Sequence, residues 1–134
     1  MCTLLLLVQQ LGLSVPRRYE YIPEPSLTWS AAQHACQEKG MQLVSIESEA
    51  EQDRIRKMIG NAKSGEPAIY TWTGCHKDAT GVFRWIATGQ LCGRGGSYHN
   101  WHAGEPNNSD GDGKTCAEMR SHQGNYEVRE DTIV

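Results

Sequence analysis

Gly40-Met41-Gln42-Leu43-Val44-Ser45-Ile46 is the stretch on which the fold class turns. Gly40 supplies a helix stop, because glycine takes the left-handed conformation at a helix C-terminus with little steric cost. Leu43, Val44 and Ile46 then read as a short buried strand. Just upstream, Thr28 offers the hydroxyl of a helix N-cap, and the spacing predicts a helix over Trp29–Lys39 with Ala32, Ala35 and Cys36 on one face. Just downstream, Ser48 and Glu51 stand three apart in a capping-box pattern. They open a second helix, with Ile55, Met58 and Ile59 turned inward and Asp53, Arg54, Arg56 and Lys57 toward water.

Further out, Pro16, Pro23 and Pro25 mark an extended entry segment around Tyr19-Glu20-Tyr21. Ala68–Thr73 and Val82–Ile86 read as strands separated by a turn at Asp78-Ala79-Thr80-Gly81, and Thr115–Met119 reads as another. From Ala87 to Lys114 glycine, asparagine and aspartate dominate. An irregular stretch of that length in a compact domain is usually functional or disordered. Two early helices, then strands and a long polar loop, define an α+β class. A chain of 134 residues supports one core. A net charge of −3 argues against a nucleic-acid footprint, and no run of 18 apolar residues reads as a transmembrane segment.

Within the polar loop stands Glu105-Pro106-Asn107, preceded by Tyr98-His99-Asn100-Trp101 and followed by Asp110-Gly111-Asp112. Carboxylate and carboxamide oxygens on a stiff loop are the hard ligands that Ca²⁺ prefers. The same oxygens accept hydrogen bonds from vicinal sugar hydroxyls, and the Asn107 amide donates them. Asn107-Asn108-Ser109 is also an N-glycosylation sequon.

Taken in order, a series of landmarks resembles those of a C-type lectin domain, over about Tyr19 to Asn125. They are Thr28-Trp29 with Ala32 and Cys36, Gly40 to Ile46, Glu51, Trp72-Thr73-Gly74 and Gly81-Val82-Phe83-Arg84-Trp85, followed by Asn100-Trp101, Glu105-Pro106-Asn107 and Cys116-Ala117-Glu118. The resemblance implies a double-loop α+β domain with two helices and a small antiparallel sheet. It also implies that Glu105 and Asn107 hold one Ca²⁺, to which a sugar's vicinal hydroxyls bind. The Glu-Pro-Asn order is similar to that of mannose-type binders. The family's third acidic ligand falls at Lys114, so Asp112 or Asp110 stands in for it. Its Trp-Asn-Asp motif has no full match: Asn125 takes the asparagine's place, with Glu127 nearby, and the tryptophan is absent. The closing cysteines and last strand are expected to be missing. The metal set is therefore Glu105, Asn107, Asp112 and Asn125, and the carbohydrate set Glu105, Asn107 and Asn125.

Five cysteines in so short a chain suggest an oxidising compartment. Cys75 and Cys92 flank the Val82–Ile86 strand and are candidates to pair. The resemblance pairs Cys36 and Cys116 with cysteines this sequence lacks, which leaves them as thiols or as a pair of their own. The run Leu4 to Val8 reads as a signal-peptide h-region, giving a leader over 1–18 and a domain over 19–134.

Trp29, Trp72, Trp85 and Trp101 fit core positions better than sugar platforms, with Trp101 the one near the site. His99 and His102 lack the second ligand pair that zinc needs. No nucleophile–base–orienter set is visible, so the expectation is a binding protein and not an enzyme. The reading is a secreted, calcium-dependent binder of mannose-type glycans, including those on cell-surface glycoproteins. The alternatives are a calcium-independent protein- or surface-binding module, or a truncated fragment without function.

Overall fold

A computed structural model describes residues 3–8, 18–22, 27–62, 70–92, 98–101, 116–122 and 125–131. The elements are β1 (Thr3–Val8), β2 (Arg18–Ile22), α1 (Trp29–Glu38), β3 (Gln42–Leu43), α2 (Glu49–Ala62), β4 (Tyr70–Lys77), β5 (Phe83–Trp85), β6 (Cys116–His122) and β7 (Asn125–Asp131). The strands form one sheet in the order β2-β1-β4-β6-β7, with β3 joined to β1 and β5 to β4. All pairs are antiparallel except β1 with β4, which run parallel through Thr3–Thr71 and Leu4–Trp72.

Local chemistry sets the helix ends. The Thr28 hydroxyl accepts from Ala31 N–H at 3.1 Å. At the other end Gly40 has φ +69°, its N–H donates to Gln37 O at 2.9 Å, and Met41 N–H donates to Cys36 O at 3.0 Å. These two bonds satisfy carbonyls that a helix end otherwise leaves open. At the start of α2, Ser48 Oγ accepts from Glu51 N–H at 3.1 Å, but the Glu51 carboxylate accepts from Glu47 N–H at 3.2 Å, not from Ser48. The capping box is thus half formed, and its second arm is shifted by one residue.

Alternation along the strands divides the core between the two faces of the sheet. On one side α1 contributes Trp29, Ala32 and Cys36, which pack with Ile22, Leu43, Trp72 and Cys116. On the other, α2 contributes Ile55 and Ile59, which pack with Cys75, Phe83, Trp85, Ala117 and Met119. Cross-links between the layers use tryptophan N–H groups: Trp29 donates to Thr73 O at 2.8 Å and Trp72 to Leu27 O at 2.9 Å. Gln52 is buried on the inner face of α2, where its amide donates to Met119 Sδ at 3.2 Å.

One sequence expectation changes. The chain's last stretch forms β7, paired with β6 along its length, where the closing strand was expected to be missing. Its sequence, NYEVRED, is highly charged and gave no strand pattern. The register sets Glu118 opposite Arg129 and Arg120 opposite Glu127. The Leu4–Val8 run, read as part of a leader, lies inside the sheet between β2 and β4. Removal of residues 1–18 would therefore take a strand from the middle of the sheet.

Candidate functional site

Glu105, Asn107 and Asp112 lie outside the described residues, as do Asp110 and His102. What the structure shows is how both ends of the 102–115 segment are anchored. On the entry side, Trp101 is half-buried against the α2-side core, its ring edge-on to Phe83 at 5.5 Å. Its indole N–H donates to Cys92 O at 2.8 Å. Cys92 is in turn bonded to Cys75, with 6.0 Å between the Cα atoms, which bears out the pairing expected from their flanking positions. On the exit side, Cys116 is buried and stands opposite His76 in the β4–β6 register. Both ends thus tie back to Cys75 and His76, adjacent residues of β4.

The His76 ring stacks on Trp29 at 4.8 Å between ring centres. Burial lowers its pKa, while the nearby Asp78 charge opposes the shift. Asp78 closes the β4–β5 turn: its carboxylate accepts from the Thr80 hydroxyl at 2.6 Å, Thr80 N–H at 2.8 Å and Val82 N–H at 3.0 Å, and from Arg84 Nε at 3.1 Å. The Thr80 hydroxyl first, then the Val82 amide, hold its carboxyl down at about 2. Tyr98 lies over α2. Burial chiefly, with the Glu49 and Asp53 charges adding to it and Arg56 opposing, raises its phenol pKa.

Asn125 opens β7 opposite His122, at the turn end of the β6–β7 hairpin. Cys116, where the 102–115 segment rejoins the sheet, is at the far end of β6, and the residue facing it is Asp131. At the usual rise of a strand that separates the two ends by roughly 20 Å. The described structure therefore does not bring Asn125 to the loop root. Among the described residues no group of three or more His, Cys, Asp or Glu is arranged to hold a metal ion.

Cys36 and Cys116, the other disulfide candidates, are buried thiols in the α1-side core. Burial pushes the Cys36 thiol up to about 12, so it stays protonated and unreactive at neutral pH. Trp29, Trp72 and Trp85 are core residues, as expected. Trp101 proves to be a loop anchor, with its N–H committed to Cys92. The sequence reading missed this role of Trp101, although its position between Cys92 and the polar triplet was the available signal.

The domain is α+β, with two helices packed on one sheet and the Cys75–Cys92 disulfide beside the residues that lead into the 102–115 segment. The Lectin C-type domain model matches residues 25–132, and the chain belongs to the C-type lectin domain family. It is 32% identical over 97 residues to human C-type lectin domain family 10 member A, covering 72% of this chain and 27% of that protein. It is 36% identical over 101 residues to the mouse low affinity immunoglobulin epsilon Fc receptor, covering 75% of this chain and 27% of the receptor. The chain thus spans about a quarter of the length of these relatives. Among solved structures, the C-type lectin CEL-I from Cucumaria echinata superposes with a TM-score of 0.64 at 23% identity, covering 80% of this chain and 76% of that one. A complex of SPL-1 with GlcNAc superposes with a TM-score of 0.61 at 26% identity, covering 79% and 71%. Among the described residues no helix is long and apolar enough to cross a membrane.

Proposed function

We propose that this chain is a calcium-dependent binder of mannose-type glycans, acting outside the cell and without catalysis. The observation that carries the reading is Glu105-Pro106-Asn107 in a chain of this family, on a segment whose two ends are rooted at Cys75 and His76. The donor chemistry fits the ion. Glu105 and Asp112 bring carboxylates and Asn107 brings an amide oxygen, and none of the three brings the sulfur or imidazole that would favour a softer metal. Bound there, Ca²⁺ would supply coordination positions for two vicinal hydroxyls, while Glu105 and Asn107 accept and donate the hydrogen bonds that orient them. The glycan-bound neighbour supports a sugar ligand. The disulfide supports an oxidising compartment, and glycans on cell-surface glycoproteins are the partners available there. N-terminal sequencing of the secreted protein separates two outcomes for the apolar run Leu4–Val8: a start near Tyr19 marks residues 1–18 as a leader, and an intact start keeps β1 in the sheet.

Thermal unfolding in millimolar Ca²⁺ and in EGTA tests the proposal. A ligand that binds only the native state at a hundred times its Kd adds about 2.7 kcal/mol, so the melt is expected to move up by several degrees with Ca²⁺. Mannose should then displace the protein from mannan, while galactose should not. Glu105→Gln is expected to abolish the calcium shift. Asn125→Ala should do less, given its place at the turn end of the hairpin. An identical melt in both buffers would rule the calcium site out.

The similarity to an immunoglobulin Fc receptor favours a second reading, a protein-binding module that needs no calcium. Partner capture that persists in EGTA would select it.

A further inference from the structure

We infer that the outer edge of β7 is an interaction surface for a second copy of this chain, the two β7 strands pairing antiparallel about a two-fold axis at Val128. The inference is independent of the calcium reading above. β7 (Asn125–Asp131) stands last in the order β2-β1-β4-β6-β7 and is joined to β6 along one edge. Among the described residues no strand pairs with its other edge. A strand in that place presents a row of backbone N–H and C=O groups, a template for another strand. Charge is a usual guard on such an edge, and NYEVRED is rich in it. The order of those charges decides which strand the edge accepts.

Facing residues of an antiparallel pair share a face, and neighbours along a strand alternate between faces. A symmetric pair of identical strands must therefore centre on a residue. Val128, opposite Met119 in the β6–β7 register, is the midpoint of β7. With the axis there the whole strand pairs: Asn125 faces Asp131 of the second copy, Tyr126 faces Glu130, and Glu127 faces Arg129, each twice. Moving the axis by one residue sets Glu127 or Arg129 against its own copy and shortens the pairing. Opposite charges at facing positions stabilise such a pair and like charges destabilise it, so the centred register is the favoured one. β2, at the other end of the sheet, has Glu20 at its midpoint and would set that carboxylate against itself. The interface is thus isologous, as two-fold dimers require. It also places two loop roots on one body. Cys116 faces Asp131 within each chain, so the two Cys116 positions lie on either side of the axis, roughly 25 Å apart at the usual strand rise and spacing. Two ligands can then be held at once, which raises apparent affinity without any new contact.

Sedimentation equilibrium of the full chain over a wide concentration range reads self-association. A monomer–dimer equilibrium is expected, and a monomer at every concentration overturns the inference. Cysteine placed singly at each position from Tyr126 to Glu130, with oxidised glutathione as oxidant, reads the register on a non-reducing gel. Facing Cα atoms lie about 4.5–5.5 Å apart, a span that a disulfide bridges. Val128→Cys should therefore cross-link to its own copy fastest, above the wild-type background, and a maximum elsewhere overturns the axis. Glu127→Arg and Arg129→Glu each set like charges across the axis twice and should each weaken self-association by about tenfold. Both also alter a position that faces β6, opposite Arg120 and Glu118. Mixing separates the two effects, because it cannot repair the hairpin inside either chain, whereas the two variants match each other across the axis. An equimolar mixture should recover dimer as the heterodimer, read by native mass spectrometry. A mixture that associates no better than its parts overturns the inference.

Discussion

Gly74 carries two backbone hydrogen bonds and leaves no room for a methyl group. Its N–H donates to Val44 O and its carbonyl accepts from Ile86 N–H, each at 2.8 Å, which ties β4 to the segment after β3 and to the end of β5. A Cβ there would stand 2.9 Å from Leu43 O and 3.1 Å from Val44 O, both backbone atoms that cannot swing aside. Gly74→Ala is therefore expected to cost about 1–3 kcal/mol, as overpacking a core does, read as a lower urea midpoint. An unchanged midpoint would show that the backbone yields freely. Asp78 gives a second test. Its folded pKa of about 2 lies below the ordinary carboxylate value, so its contribution is fully present above about pH 4. That contribution is lost as the pH falls toward 2. Asp78→Asn should be less stable than wild type at neutral pH, and the gap should close between about pH 4 and 2. A gap that persists at pH 2 would mean that the turn holds without the charge.

At the scale of elements, the Cys75–Cys92 bond closes a short loop, with its ends 17 positions apart in sequence. Loop-entropy reasoning assigns such a bond roughly 3 kcal/mol. Cys75→Ala with Cys92→Ala should lower stability by about that amount, and should weaken calcium-dependent retention even at temperatures where the domain stays folded. Retention that survives intact in the folded variant would show that the bond holds only the core. Much of the element structure was legible in the sequence. Thr28, Gly40 and Ser48 marked helix ends with specific hydrogen-bonding chemistry, and Ile55 and Ile59 marked a face. Gln52 sits at helical spacing from both, but an amide does not advertise burial. The β7 strand was hidden because a charged segment such as NYEVRED shows no apolar alternation, and its backbone pairing with β6 depends on a register that no local pattern states. The place of Thr3–Val8 was hidden for a related reason: an apolar run states a need for burial without saying where. For the candidate site, the sequence supplied the ligand types and the disulfide, but not that Asn125 and Cys116 stand at opposite ends of β6.

For the whole molecule, the two core halves meet at the sheet, so exposing either requires the layers to separate. Cys36 is a reporter of that event. Its thiol is fully buried and its pKa is pushed up to about 12, so native protein should label with a disulfide reagent only as fast as the fold opens. Denaturant should speed labelling in proportion to the unfolded fraction. Prompt reaction in native buffer would mean that the α1 side opens locally. The common root of the 102–115 segment has a consequence of a different kind. With Trp101 and Cys116, the residues that flank it, tied to neighbouring residues of β4, a change in the number of residues between them is expected to be felt only weakly by the core, because closure entropy grows only logarithmically with length. The domain is built as a fixed socket with an exchangeable insert. Under the function proposed above, changes confined to that insert are expected to alter ligand binding while the described core goes on folding as before.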